Sequence, residues 1–312
     1  MITKSVLRKY DFVWPLLGSI VLWILIGIVS GGMHIGQLAS CAKLATFALI
    51  LALAQMVIVT SGDGAIDLSQ TYILTLCAYI STDMMSRNLI LGLVFALFVG
   101  CLCGFANGCI NVFLKVPAMV TTLATGYIIF SLVLVLAPKM TTLPNSRMVK
   151  FINVSVLGIP MLTFVVVVVA ALLAILLYRT KYGKNLHCVG QKRLASYYSG
   201  VPVKRVVVIA FTIGGGLCGL SGVLCGAFIG GAFQDMGSTY FLPSIAATFV
   251  GGTVASGGRS NVFGVCLGAL MMSFLTTFLN ASNLGPGVQR LIQGVFLVVV
   301  LMASVSSDTR QK

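Results

Sequence analysis

Apolar runs about as long as a bilayer is thick follow one another along almost the whole chain, separated by short polar or glycine-rich breaks. A hydrocarbon core about 30 Å thick needs about 20 helical residues at about 1.5 Å each. Ten runs approach that length: 14–31, 38–60, 66–83, 88–112, 117–137, 158–178, 205–232, 240–256, 261–281 and 286–304. The pattern predicts an all-α, polytopic transmembrane helical bundle of about ten spans. The first run is too long and too far from the start to be a signal peptide, and is expected to be retained. Run 240–256 carries Pro243 near its start and Gly251 with Gly252 near its end. That leaves open a re-entrant or broken helix, tolerated only where protein or water covers the freed backbone. The longest polar stretches, 138–157 and 179–204, are too short to bury cores of their own, so residues 1–312 read as a single transmembrane domain.

Composition makes lipid surroundings obligatory. Of 312 residues 58% are hydrophobic and only 8% charged, against about 25% charged in a typical soluble domain. Twenty Lys and Arg face six acids, every one of them Asp. The absence of Glu excludes a HExxH zinc protease, a Glu-based glycosidase pair and a Glu proton relay. His34 and His187 have no second ligand at metal spacing, and the nine Cys, most of them inside apolar runs, include no CxxC pair. No GxxxxGK motif followed by Ser or Thr occurs. The chain is therefore expected to be no enzyme and to hold no cofactor or metal; if ATP drives it, a partner subunit binds the ATP.

The basic residues orient the bundle, because they stay on the cytoplasmic side. With the N-terminus inside, fourteen of the twenty fall in the cytoplasm: Lys4, Arg8, Lys9, Lys115, seven between Arg179 and Arg205, Arg259, Arg310 and Lys312. Lys43, Arg87, Lys139, Arg147, Lys150 and Arg290 fall on the other side. Both termini are thus expected in the cytoplasm. The longest cytoplasmic loop, about 179–204, holds no acid and suits anionic lipid. It lacks the interleaved aromatics of a nucleic-acid groove, so no nucleic acid is expected.

Few polar groups enter the apolar runs. Asp63 and Asp67 lie in SGDGAIDLSQ, at a break where Gly62 and Gly64 permit a sharp turn. Asp67 is suited to capping a helix N-terminus or to a place in a transport path. Ser69, Gln70, Asn107, Thr121, Thr122 and Thr125 are candidates to line a wet passage for a neutral hydroxylated solute; a Thr in a membrane helix also bonds its own backbone. Gly100, Gly104 and Gly108 share a face, and Gly215, Gly219, Gly222, Gly226 and Gly230 form a second stripe, the signature of close helix packing in lipid.

Four segments, VIVTSGDGAIDLSQ at 57–70, VPAMVTTLAT at 116–125, YGKNLHCVGQKRLASYYSGVPVKRV at 182–206 and FVGGTVASGGRSNVFGVCLGAL at 249–270, resemble in order the membrane permease subunits of bacterial ABC importers of the ribose and related monosaccharide family. The resemblance runs from about residue 36 onward. It implies a pore-forming subunit of the bacterial inner membrane that pairs with a second permease as a homo- or heterodimer. Cytoplasmic ATP-binding subunits dock beneath, and a periplasmic or extracellular solute-binding protein delivers a monosaccharide or related small solute. It also places the ATPase-coupling helix on Gln191, Lys192, Arg193, Leu194, Ala195, Ser196, Tyr197, Tyr198, Ser199 and Gly200, with the Tyr pair as anchor and Lys192 and Arg193 at the rim. The chain departs from the family pattern at Ala65, Gln70 and Thr71 around IDLS, and at Lys192 and Arg193, where acids are usual. Amino acids or nucleosides are the alternative cargo. An ion-coupled secondary transporter is the alternative class, one that needs an intramembrane acid.

Overall fold

In a computed structural model, residues 13–30, 32, 35–141, 143–156 and 158–309 are described. Lys4, Arg8, Lys9, His34, Arg310 and Lys312 lie outside them. The helices are α1 (Val13–Val29), α2 (Ile35–Thr60), α3 (Gln70–Arg87), α4 (Leu89–Phe113), α5 (Ala118–Leu136), α6 (Ser146–Asn153), α7 (Met161–Arg179), α8 (Lys181–Gln191), α9 (Arg193–Tyr198), α10 (Val203–Ile229), α11 (Ser238–Val250), α12 (Val262–Ala281) and α13 (Pro286–Thr309). A two-residue hairpin, β1 (Ser155–Val156) with β2 (Ile159–Pro160), precedes α7. Each of the ten apolar runs overlaps one helix, the one in run 240–256 being short. Among the described residues, six helical segments are long and apolar enough to cross a membrane: Ser40–Thr60, Leu89–Phe113, Ala118–Lys139, Met161–Arg179, Val203–Ile229 and Val262–Ala281. The protein is an all-α, polytopic membrane protein.

The packing follows the rules of lipid rather than of water. On α4 the buried positions are Gly92, Ala96, Gly100, Gly104, Asn107 and Gly108, while Ile90, Phe95, Phe98, Leu102 and Phe105 point outward. Small residues face protein because, between helices in lipid, contact itself supplies the attraction. The two glycine stripes meet. A Cβ on Gly104 would strike the Phe211 carbonyl and the Gly215 backbone, and one on Gly100 would strike Gly215 and Gly219. Further along α10, Gly222 lies on the Leu74 carbonyl of α3.

Helices α2 and α3 form the centre. Phe47 to Ser61 is buried without interruption, and α3 carries buried Gln70, Thr71, Thr75, Ser81 and Thr82. Such a sequence is too polar for lipid and is stable because protein surrounds it; Thr75 and Thr82 donate back to the carbonyls of Thr71 and Ala78. Thr248 of α11 and Ser221 of α10 donate to the α2 carbonyls of Ala52 and Phe47.

Two of the apolar runs have unwound chain at or before their start. Residues 61–69 leave α2 as a turn and reach α3 without helix. Run 240–256 is helical only to Val250; α11 has 13 residues, about 20 Å of rise against the roughly 30 Å to be crossed. Its start is inside the bundle, since Gly237 abuts the Thr71 backbone. Its end packs Phe249 beside Val59. Segment 230–237 therefore returns unwound from the end of α10 to mid-bundle; this break precedes run 240–256, in which Pro243 lies inside α11 and the helix stops before Gly251 and Gly252.

The turns sort to two ends. At one, the Gly258 N–H donates to the Thr60 carbonyl and the Tyr178 hydroxyl to Ser260, and Lys115, Arg193 and Lys204 border one cavity with Asp63. At the other, Thr141 N donates to Asp83 and Asn145 to the Met85 carbonyl. The charge count had assigned Lys115, Arg193, Lys204 and Arg259 to one side and Arg87, Lys139, Arg147 and Lys150 to the other, and the packing groups their turns in the same way.

Candidate functional site

The unwound loop 66–69 poses an acute problem: its backbone N–H groups are buried with no helix to satisfy them. Side chains from two helices and from the loop itself do so. The Asp67 N–H donates to Gln55 Oε1 at 3.3 Å, that of Leu68 to Thr122 Oγ1 at 3.0 Å, and that of Ser69 to Asp67 Oδ1 at 2.7 Å. Ser69 Oγ donates to the same carboxylate oxygen at 2.6 Å and accepts from Asn107 Nδ2 at 2.8 Å. Asn107 Oδ1 accepts from Thr125 Oγ1 at 2.6 Å, and Gln70 Nε2 donates to Gln55 Oε1. Asp67 thus closes an Asx-type turn two residues before α3, a near relative of the cap its position suggested. The helix starts with Ser69 in the cap position, without a side-chain cap bond.

Asp67, Ser69, Gln70, Asn107, Thr121 and Thr122 are all buried, and only Thr125 is partly exposed. Six of the seven path candidates therefore share one hydrogen-bonded network; Thr121 Oγ1 has no partner. In this conformation their polar atoms face one another and not an open passage. Gln55, the hub, was not singled out from the sequence, although a lone Gln inside the apolar run 38–60 was a readable signal.

A second group of residues went unnoticed because it is assembled across elements. Gly126 packs on the Tyr72 ring, which lies 6.1 Å from the ring of Tyr127 and 5.6 Å from that of Phe130. Asp235, exposed in the unwound segment 230–237 at φ 63°, is within electrostatic reach of Tyr72. The starts of α3 and α11, each preceded by unwound chain, meet there through Thr71 and Gly237. The result is an accessible patch of aromatic rings, hydroxyls and one carboxylate at mid-bundle.

At the basic end, the helix expected over Gln191–Gly200 is shorter. Gln191 closes α8, Lys192 is an extended cap residue, and α9 covers Arg193–Tyr198. Gly200 follows at φ 81°, ending the helix. Leu194, Tyr197 and Tyr198 are 69%, 67% and 79% exposed, and the two rings meet edge to face at 5.8 Å. Ala195, Ser196 and Ser199 complete the turn; Ser196 is buried.

Arg193 corrects the expectation of a rim charge. Its guanidinium turns inward to Asp63 at 2.6 Å and to the Ser61 carbonyl at 3.5 Å, because burial of its stem leaves the SGDG turn as the nearest negative partner. Gly190 seats α8 against the same turn: any Cβ would collide with the Thr60 carbonyl and the Gly258 backbone. The ends of α2, α8 and the α11–α12 loop are therefore in backbone contact, with α9 bolted to them by one ion pair.

An apolar helical bundle interrupted by two unwound segments, with a small basic-loop helix wired to one of them, is an architecture suited to a membrane permease. Residues 37–301 match the family described as branched-chain amino acid transport system / permease component, and the chain belongs to it. It is a permease subunit of an ATP-binding-cassette importer and a multi-pass protein of the bacterial inner membrane. Among its relatives is the autoinducer 2 import system permease protein LsrD of Salmonella typhimurium, 28% identical over 272 residues, covering 84% of this chain and 81% of that one. LsrD of Escherichia coli O9:H4 is 26% identical over 273 residues, covering 84% and 82%. No solved structure matches the chain. Permeases of this kind work with ATP-binding and solute-binding partners and are transport subunits, not ATPases.

Proposed function

We propose that this permease carries a monosaccharide or a related small hydroxylated solute, as a dimer, over the patch formed by Tyr72, Tyr127 and Asp235. The relatives named for autoinducer 2 import support a cargo of that kind. Discontinuous helices meeting at mid-bundle are where transporters place substrate, and rings beside a carboxylate suit a solute rich in C–H faces and hydroxyls. The buried network around Asp67 holds the unwound backbone beneath that patch.

The eighth crossing is made by unwound 230–237 together with α11, which keeps ten crossings in one transmembrane domain and both termini in the cytoplasm. The energy comes from ATP bound by a partner, received at α9. The observation that carries this reading is the exposed Leu194, Tyr197 and Tyr198 surface on a basic, non-spanning loop, clamped to α2 and to the α11–α12 loop through Arg193–Asp63 and Gly190. A force applied at α9 reaches the unwound segment that follows α2 through rigid contacts.

The test is reconstitution in vesicles. The chain alone should neither bind nor hydrolyse ATP, and uptake should require an ATP-binding subunit and a loaded solute-binding protein. Uptake by the lone chain on a proton gradient would establish the secondary-transporter reading instead. A reporter fused after Lys192 should read cytoplasmic and one near Asn145 external; the reverse would invert the orientation.

A further inference from the structure

A cavity of about 430 Å³ opens between the SGDG turn, the α4–α5 turn and the start of α10, within the size range of small-molecule sites, about 300–1,000 Å³. Its walls carry Lys115, Lys204 and Arg193 against a single acid, Asp63. Among the described residues neither lysine has an acidic partner within salt-bridge distance. Lys204 Nζ instead lies over the Phe113 ring at 5.7 Å.

The polar groups of this cavity are incompletely used. Arg193 spends its two terminal nitrogens on Asp63 and the Ser61 carbonyl, and its buried Nε has no partner. Asn111 donates to the Val116 carbonyl at 2.8 Å, leaving its buried Oδ1 without a donor. Lys115 is held at φ 55°, a left-handed conformation that strains a side chain with a Cβ. Burial lowers the pKa of Arg193, and Asp63 offsets that only in part; with three cationic side chains against one acid, the cavity is short of negative charge.

We propose that this cavity binds the phosphate group of a small phosphorylated polyol. Phosphate oxygens accept from Lys115, Lys204 and the terminal N–H groups of the Arg193 guanidinium, the charge-assisted contacts that phosphate recognition uses. The ligand bridges the α4–α5 turn to Arg193 and so braces α9 against the bundle. None of this depends on α9 touching an ATPase. The same chemistry is presented by a soluble sugar or glycerol phosphate and by a phosphatidylglycerol headgroup.

The experiment uses the full chain, purified with its importer partners in phosphatidylcholine nanodiscs, and titrates glycerol 3-phosphate by calorimetry. In parallel, thermal unfolding is compared between phosphatidylcholine discs and discs containing phosphatidylglycerol. Saturable glycerol 3-phosphate binding identifies a soluble ligand. Stabilisation by phosphatidylglycerol alone identifies a lipid headgroup. In either case the response should fall about tenfold or more in Lys115→Gln, Lys204→Gln, which removes two charge-assisted contacts, and persist in Lys181→Gln, Lys184→Gln, outside the cavity. Lys115→Gly guards against misfolding, because glycine adopts the left-handed conformation without strain; it should fold at least as well as the parent and still lose binding. No response to either probe, an equal response in the cavity and control variants, or full binding by Lys115→Gly would overturn the proposal.

Discussion

Asp67→Ala isolates what the buried network contributes. The carboxylate is fully buried, and its Oδ1 accepts from both the N–H and the hydroxyl of Ser69. Alanine leaves those two donors in a dry interior, each costing about 1–3 kcal/mol, so a destabilisation of about 2–6 kcal/mol is expected. Asp67→Asn keeps an acceptor at Oδ1 and loses the charge; Oδ2 has no partner to forfeit. Its cost should stay near the difference between a charged and a neutral hydrogen bond for each of the two, about 2–3 kcal/mol in all. The assay is thermal or denaturant unfolding of the purified permease in detergent, paired with uptake normalised to folded protein. If the backbone-anchoring role is right, stability falls in the order parent, Asn, Ala, and uptake per folded molecule is largely retained in Asn. An alanine variant that unfolds with the parent but transports nothing would refute the reasoning and place Asp67 against the solute.

Other substitutions probe the remaining links. Gly104→Leu should cost about 1–3 kcal/mol or more from overpacking against Phe211 and Gly215, whereas Phe105→Leu, one residue on and facing outward, should be nearly neutral; unfolding midpoints decide. Asp235→Asn should leave stability within about 0.5 kcal/mol, as expected of an exposed site, while changing the uptake rate; unchanged uptake would remove Asp235 from the path. Tyr197→Ala with Tyr198→Ala should weaken ATPase association by about 2 kcal/mol or more in a pull-down, with insertion intact and the loss insensitive to salt; unchanged binding and uptake would leave α9 without a coupling role. Neutralising Lys192, the charge remaining at the rim, should do less and only at low salt.

The sequence alone determined the environment, the number of apolar runs, the glycine stripes and the break at SGDG, because each is a local or periodic property. Bilayer thickness sets run length, and a missing side chain is visible wherever backbones must touch. Which polar groups face one another is a property of helix rotation and depth, and one chain of letters does not record either. Asn107 and Thr125 lie on different helices, and only the tertiary structure bonded Thr125 to Asn107 and Asn107 to Ser69, drawing six of the seven expected path residues into one buried network. Arg193 read as a surface charge until the SGDG turn was found beneath it. Asp235 drew no notice because segment 230–237 had to be seen returning into the bundle before its carboxylate had neighbours. Hydrogen-bond demand explains the division: an unwound backbone inside a membrane must be satisfied from outside its own segment, so its partners are distant in sequence and appear only once the helices are packed.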